Sequence, residues 1–161
     1  MRLQIGVIGP IGLGAALVGC RDSEPTWAPV TESEARIRLE QVYEAARLGS
    51  LVTRCKELAG KDPPICANLL LSHGVPPPGR PEIIGSRYTE TSGIVRPGWI
   101  LTVCGPRPDG TVYLSEFVVY RRDDGGLDAA HPAYWSGMLI ADGREQFQPQ
   151  DPRATSCPAP Q

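Results

Sequence analysis

Val75-Pro76-Pro77-Pro78-Gly79-Arg80-Pro81 divides the chain into two halves of different character. Proline fixes φ and offers no backbone donor, so such a run neither continues a helix nor enters the middle of a sheet. It is too short for a domain boundary and reads as a stiff crossing. Apolar residues recur at helical spacing before it and at strand spacing after it. That order predicts an α+β fold, with N-terminal helices packed on a curved antiparallel sheet of about four strands.

Upstream, Thr31-x-x-Glu34 is a capping box that starts a first helix. Ala35, Leu39, Val42, Tyr43 and Ala46 come after it at i, i+4, i+7, i+8 and i+11, one apolar face. Glu40 and Glu44 fall on the polar side, and Gly49 stops the helix. Ser50 is read as the cap of a second helix carrying Leu51, Val52, Cys55, Leu58 and Ala59 inward, ended by Gly60. Asp62-Pro63 starts a third, to His73, with Ile65, Cys66, Leu69 and Leu70 inward. His73 stands at that helix end, where a cation suits the dipole.

Downstream, the expected strands are Glu82–Glu90, Trp99–Gly105, Thr111–Arg122 and Tyr134–Ala141. Turn chemistry separates them: Arg96-Pro97-Gly98, Pro108-Asp109-Gly110 and Asp123-Asp124-Gly125-Gly126. Trp99, Leu101 and Val103 alternate against Ile100, Thr102 and Cys104. The phase blurs at Glu116-Phe117-Val118-Val119, which predicts a bulge or burial of both faces.

The amino terminus is of another kind. Met1-Arg2 is a minimal positive end, Ile5 to Val18 is uncharged and mostly apolar, and small Gly19 precedes Cys20. These are the parts of a secretory signal peptide. As a helix the run reaches about 21 Å, short of a hydrocarbon core of roughly 30 Å. Its glycines fall as Gly9-x-x-Gly12-x-Gly14, and Pro25 and Pro29 interrupt the polar residues 22–30, against a dinucleotide-binding unit. Leu17-Val18-Gly19-Cys20 resembles the lipobox of bacterial lipoproteins. The resemblance implies cleavage before Cys20, diacylation of its thiol and a lipid anchor on the extracytoplasmic face of the cell membrane. Two or three acyl chains hold firmly where one does not. Residues 1–19 are then signal, 20–30 a tether, 31–145 the domain, and 146–161 a tail rich in Pro and Gln. Trp27 dips into the membrane interface, docks on the domain or is a free linker residue.

Of five cysteines, Cys20 is set aside by the lipobox, leaving Cys55, Cys66, Cys104 and Cys157. Four cysteines in an exported chain read as two disulfides, with three connectivities open. Facing positions on neighbouring helices favour Cys55–Cys66, and Cys104–Cys157 would pin the tail to the sheet. No C-x-x-C pair exists and the only histidines are His73 and His131, which argues against zinc; no metal or cofactor is expected. The formal charge is −2, and loss of Arg2 with the signal lowers it by one unit. That mild acidity excludes nucleic acid as a partner and a polybasic hold on anionic lipid. Fourteen arginines against two lysines, amid many Gly, Pro and Ala, resemble the usage of GC-rich bacterial chains, those of actinobacteria among them.

Ala45-Ala46-Arg47-Leu48-Gly49 closing one helix, a cysteine in the next, and Pro132-Ala133-Tyr134-Trp135-Ser136-Gly137 near the end together resemble small lipoproteins with cystatin-like or nuclear-transport-factor-two-like cones. The resemblance implies a curved sheet wrapping a helix around a pocket, and some cone members are isomerases or dehydratases with an acid/base pair. No catalytic residue carries over. Tyr43, Trp99, Glu116, Tyr134 and Trp135 are the candidate pocket lining, with Glu116 the best inward carboxylate; core packing and solvent are the plainer roles. No G-x-S-x-G elbow surrounds Ser92 or Ser136, and Lys56 and Lys61 lack a phosphate loop. The expectation is a non-catalytic module of the cell envelope that binds a small apolar ligand or an envelope protein. The alternatives are a small isomerase or hydrolase, and a structural envelope component.

Overall fold

The computed structural model describes residues 27–90, 96–141, 144–147 and 154–159. The signal segment, Cys20 and the first part of the tether lie outside these residues. The expected α+β class is what the chain adopts: three helices, then an antiparallel sheet in the order β1-β2-β3-β4, with a separate two-stranded hairpin β5-β6.

Helix α1 (Glu32–Arg47) begins at the expected capping box. Thr31 Oγ1 accepts from the Glu34 N–H at 3.2 Å, and the Glu34 carboxylate accepts from the Thr31 N–H at 2.9 Å. Ala35, Leu39, Val42, Ala45 and Ala46 are buried, while Tyr43 is half-buried at the edge of that face. Glu40 and Glu44 pair with Arg80 and Arg47 on the polar side. Gly49 leaves the helix at φ 68°, in the left-handed region.

The second helix is shorter than its pattern. α2 spans Cys55–Ala59, with Leu51 to Arg54 in turns before it. Ser50 caps nothing: its hydroxyl donates back to the Ala45 carbonyl at 3.3 Å, closing the end of α1 instead. α3 (Pro63–His73) has its proline at the first turn, as expected, but buries only Cys66 fully. Leu69 and Leu70 are half-buried and Ile65 points outward. A helix apolar on most sides gives periodicity nothing to select a face by.

Strands β1 (Glu82–Thr89), β2 (Gly98–Pro106) and β3 (Val112–Arg121) pair in sequence, with a bulge in β1 between Ile83 and Gly85. β3 has no bulge in its pairing to β2. Its blurred phase reflects burial of both faces. Phe117 and Val119 join the core under the helices, with Leu101 and Val103. Val118 lies on the opposite face with Ile100, Met138 and Ile140.

The fourth strand is not the expected one. β4 is Leu127–Ala129, returned against β3 by a hairpin in which Gly125 (φ 85°) donates to the Arg122 carbonyl and Asp124 Oδ1 accepts from Gly126 N–H. Pro132 then interrupts any ladder, and Tyr134 to Ser136 form turns, with N–H groups bonded to the Pro132 and Ala133 carbonyls. Only the end of the expected last strand is extended: β5 (Met138–Ala141) pairs with β6 (Arg144–Phe147) and covers the sheet face away from the helices.

Both favoured disulfides are present, Cys55–Cys66 and Cys104–Cys157, with Cα separations of 6.2 and 5.8 Å. In the chain-entropy picture they contribute about 3 and 4 kcal/mol. The second holds the tail, whose Ala154 carbonyl also accepts from Val112 N–H. Residues 27–30, expected as the end of the tether, lie on the domain. Val30 is buried, the Trp27 indole N–H donates to the Asp123 carbonyl at 3.0 Å, and Arg121 Nε donates to the Ala28 carbonyl at 2.8 Å. Residues 27–30 are thus a strap on the domain.

Candidate functional site

The five residues expected to line one pocket are divided between the two faces of the sheet. Tyr43, Tyr134 and Trp135 meet on the helix side of the sheet: ring centroids are 6.3 Å apart for Tyr43–Tyr134 and 4.9 Å for Tyr134–Trp135. Tyr113 adds a third phenol 6.1 Å from Tyr134. These rings pack edge to face as core, and burial pushes the Tyr113 and Tyr134 phenols well above their ordinary pKa. Trp99 packs against the same core, with its ring 5.8 Å from Tyr88 across the β1–β2 pair.

Glu116 is on the other face of the sheet, beneath the β5–β6 hairpin. It points neither into a helix-side pocket nor to water. Its carboxylate takes both arms of the Arg87 guanidinium, and Oε2 also accepts from the Ile140 N–H at 2.6 Å. Arg87 Nη2 reaches the Ile140 carbonyl at 3.1 Å. Three donors on one buried carboxylate make a clamp that fixes β5 to the sheet. An acid/base residue would have to leave those partners to work.

His73 and His131 come together, their ring centroids 4.9 Å apart and nearly perpendicular. The His73 carbonyl accepts from the Trp135 indole N–H at 3.0 Å, tying the end of α3 to the turn after β4. Burial lowers the pKa of His73, which works against a cation at this helix end. His131 is pushed down to about 4, first by burial and then by His73 and Lys61.

The carboxylate that the sequence pattern did not single out is Asp128. It is buried on β4, with Oδ1 accepting from Arg122 Nη1 at 3.2 Å, and desolvation raises its pKa against the pull of Arg122 and Arg38. A Cβ at Gly60 would lie 2.1 Å from its Oδ2, so this glycine, at φ 62°, is required twice over. Asp128 forms the floor of an open polar groove of about 680 Å³ with Arg54, Lys56, Glu57 and Arg122. The signal was weak: one aspartate between Leu127 and Ala129, just after a Gly-Gly turn.

A second depression, of about 510 Å³, lies where the strap meets the sheet, between Trp27, Pro29, Tyr88, Arg96 and Asp123. Arg96 pairs with Asp123 at 3.0 Å and stands 5.7 Å over the Tyr120 ring. Among the described residues, no cluster of three or more His, Cys, Asp or Glu could hold a metal ion, and no helix is long and apolar enough to cross a membrane.

Compared with known proteins, the chain matches no family model, no curated protein and no solved structure.

Proposed function

We propose that the chain is an extracytoplasmic lipoprotein of a bacterial cell envelope, held to the membrane by acylated Cys20, with an α+β domain that binds without turnover. The observation that carries this reading is the division of the cysteines. Four of the five form two disulfides within the domain, and the one left over is the cysteine of Leu17-Val18-Gly19-Cys20. Disulfides persist in oxidising compartments, where a signal peptide would deliver the chain. The reading of the domain as an interaction module is supported by α3 and the residues after it, where Leu71 and Val75 are each 80% exposed and Ile65 54%. Such a run fits the apolar surface of an envelope protein better than a ligand enclosed among Tyr43, Tyr134 and Trp135, whose rings fill the space between them. The isomerase or hydrolase alternative draws no support from Glu116, because the sheet separates it from those rings.

Intact-mass and peptide mass spectrometry of the mature protein tests the anchor. The expected result is a chain beginning at Cys20 with diacylglycerol on its thiol. An unmodified Cys20, or a retained signal segment, overturns the reading.

A further inference from the structure

We infer that the end of the domain carrying Trp27, Tyr88 and Arg96 lies in the headgroup layer of the membrane that holds the anchor. This rests on the acylation of Cys20 proposed above. The chain joins the domain at Trp27, and the seven steps from Cys20 to Trp27 cover at most about 25 Å when fully extended. A domain of this size is roughly 30 Å or more across. The strap end is therefore held near the lipid surface.

The chemistry at that end fits the place. Trp27 is 51% exposed and Tyr88 38%, an indole and a phenol with apolar rings and polar tips, the kind of side chain enriched where lipid meets water. Pro29 and Pro97 flank them, and Arg96 stands beside them. Arg96 is paired with Asp123, whose side chain is 92% exposed, so the pair is weak and the guanidinium can transfer to a lipid phosphate, which it can grip with two N–H groups. Arg121 is not available for this: it holds Glu34 and the Ala28 and Gly125 carbonyls, and its role is to fix the strap.

The exposed apolar face of α3 does not share this position. Gly60, just before α3, touches Asp128, and His73 at its far end touches His131. Of the other helices and strands α3 packs on α2, and none of its residues lines the depression around Trp27. One face is turned to lipid and another is left for a partner.

The experiment uses the acylated mature protein on phosphatidylglycerol–phosphatidylethanolamine vesicles whose acyl chains are brominated near the headgroup. Vesicle flotation reads the anchor, with Cys20→Ser as its control, and tryptophan quenching reads the face. Trp27 emission, taken as the difference between the native protein and Trp27→Phe, is expected to fall about twofold or more at headgroup depth. Leu71→Trp is expected to add emission that the bromines leave unchanged. Flotation with unquenched Trp27, or with quenching only at Leu71→Trp, overturns this orientation and leaves the anchor standing. Failure to float overturns the anchor and the orientation with it.

Discussion

Helices α1 and α3 obey opposite logic. α1 carries charge on one side and apolar side chains on the other, and it is placed by packing: five of its residues are buried against the sheet. α3 has no charged residue between its first proline and His73, yet buries only Cys66 and leaves Ile65 and Leu71 outside. Its position comes from point attachments, the Cys55–Cys66 bond and the hydrogen bond from Trp135 to the His73 carbonyl. Apolar content therefore does not measure how strongly a helix is bound to its domain. An amphipathic helix is held by an area and a uniformly apolar one by staples, and the staple leaves its remaining surface open to another molecule.

The contrast can be broken at several points. Leu39→Ala, in the packed face of α1, is expected to destabilise by about 4 kcal/mol in denaturant unfolding, since it removes buried methylenes and leaves a cavity. A loss under about 1 kcal/mol would mean that α1 is not placed by packing. The Cys55→Ser, Cys66→Ser double variant is expected to cost about 3 kcal/mol. Amide exchange should then rise far more in residues 63–73 than in 32–47; an even rise would show that the staple acts on the whole domain.

The second attachment of α3 is sensitive to pH. His131 is held below its ordinary pKa of 6.5, at about 4, by burial beside His73 and Lys61. The unfolded chain takes up the proton first as pH falls, so the stabilising contribution of the neutral ring is present above about 6.5 and is lost between there and about 4. The loss is on the order of 3 kcal/mol. His131→Gln should flatten that part of the stability–pH curve, and an unchanged slope would remove His131 as its cause.

The smallest effect belongs to the open face. Leu71→Ser is expected to change stability by no more than about 0.5 kcal/mol, because the side chain is mostly in water already. A larger loss would show that something in the chain covers α3.

The features legible in the sequence were those set by local chemistry. The Thr31–Glu34 box, the proline crossing at 76–78, the alternation from Trp99 to Cys104 and the Cys55–Cys66 pair all rest on near neighbours or a few spacings, and Cys104–Cys157 is the pair that then remains. The fourth strand was not legible, because Leu127-Asp128-Ala129 is too short to show a period and Tyr134-Trp135 has strand composition in a turn. Which residues would share a pocket was equally hidden. Glu116 has the phase of a sheet residue, but only the hairpin, folding back from beyond residue 137, decides that its face is covered. Asp128 became a buried carboxylate through Gly60, far earlier in the chain, by a contact that neither stretch announces.

The Cys104–Cys157 bond closes a ring of chain that contains β3, β4, β5 and β6. A protease that cuts once anywhere between those two cysteines produces a nick and no fragment, because both sides of the cut stay joined through sulfur. Damage of that kind would be invisible on a non-reducing gel and would appear only after reduction. Such a closed ring turns a severing event into a local one.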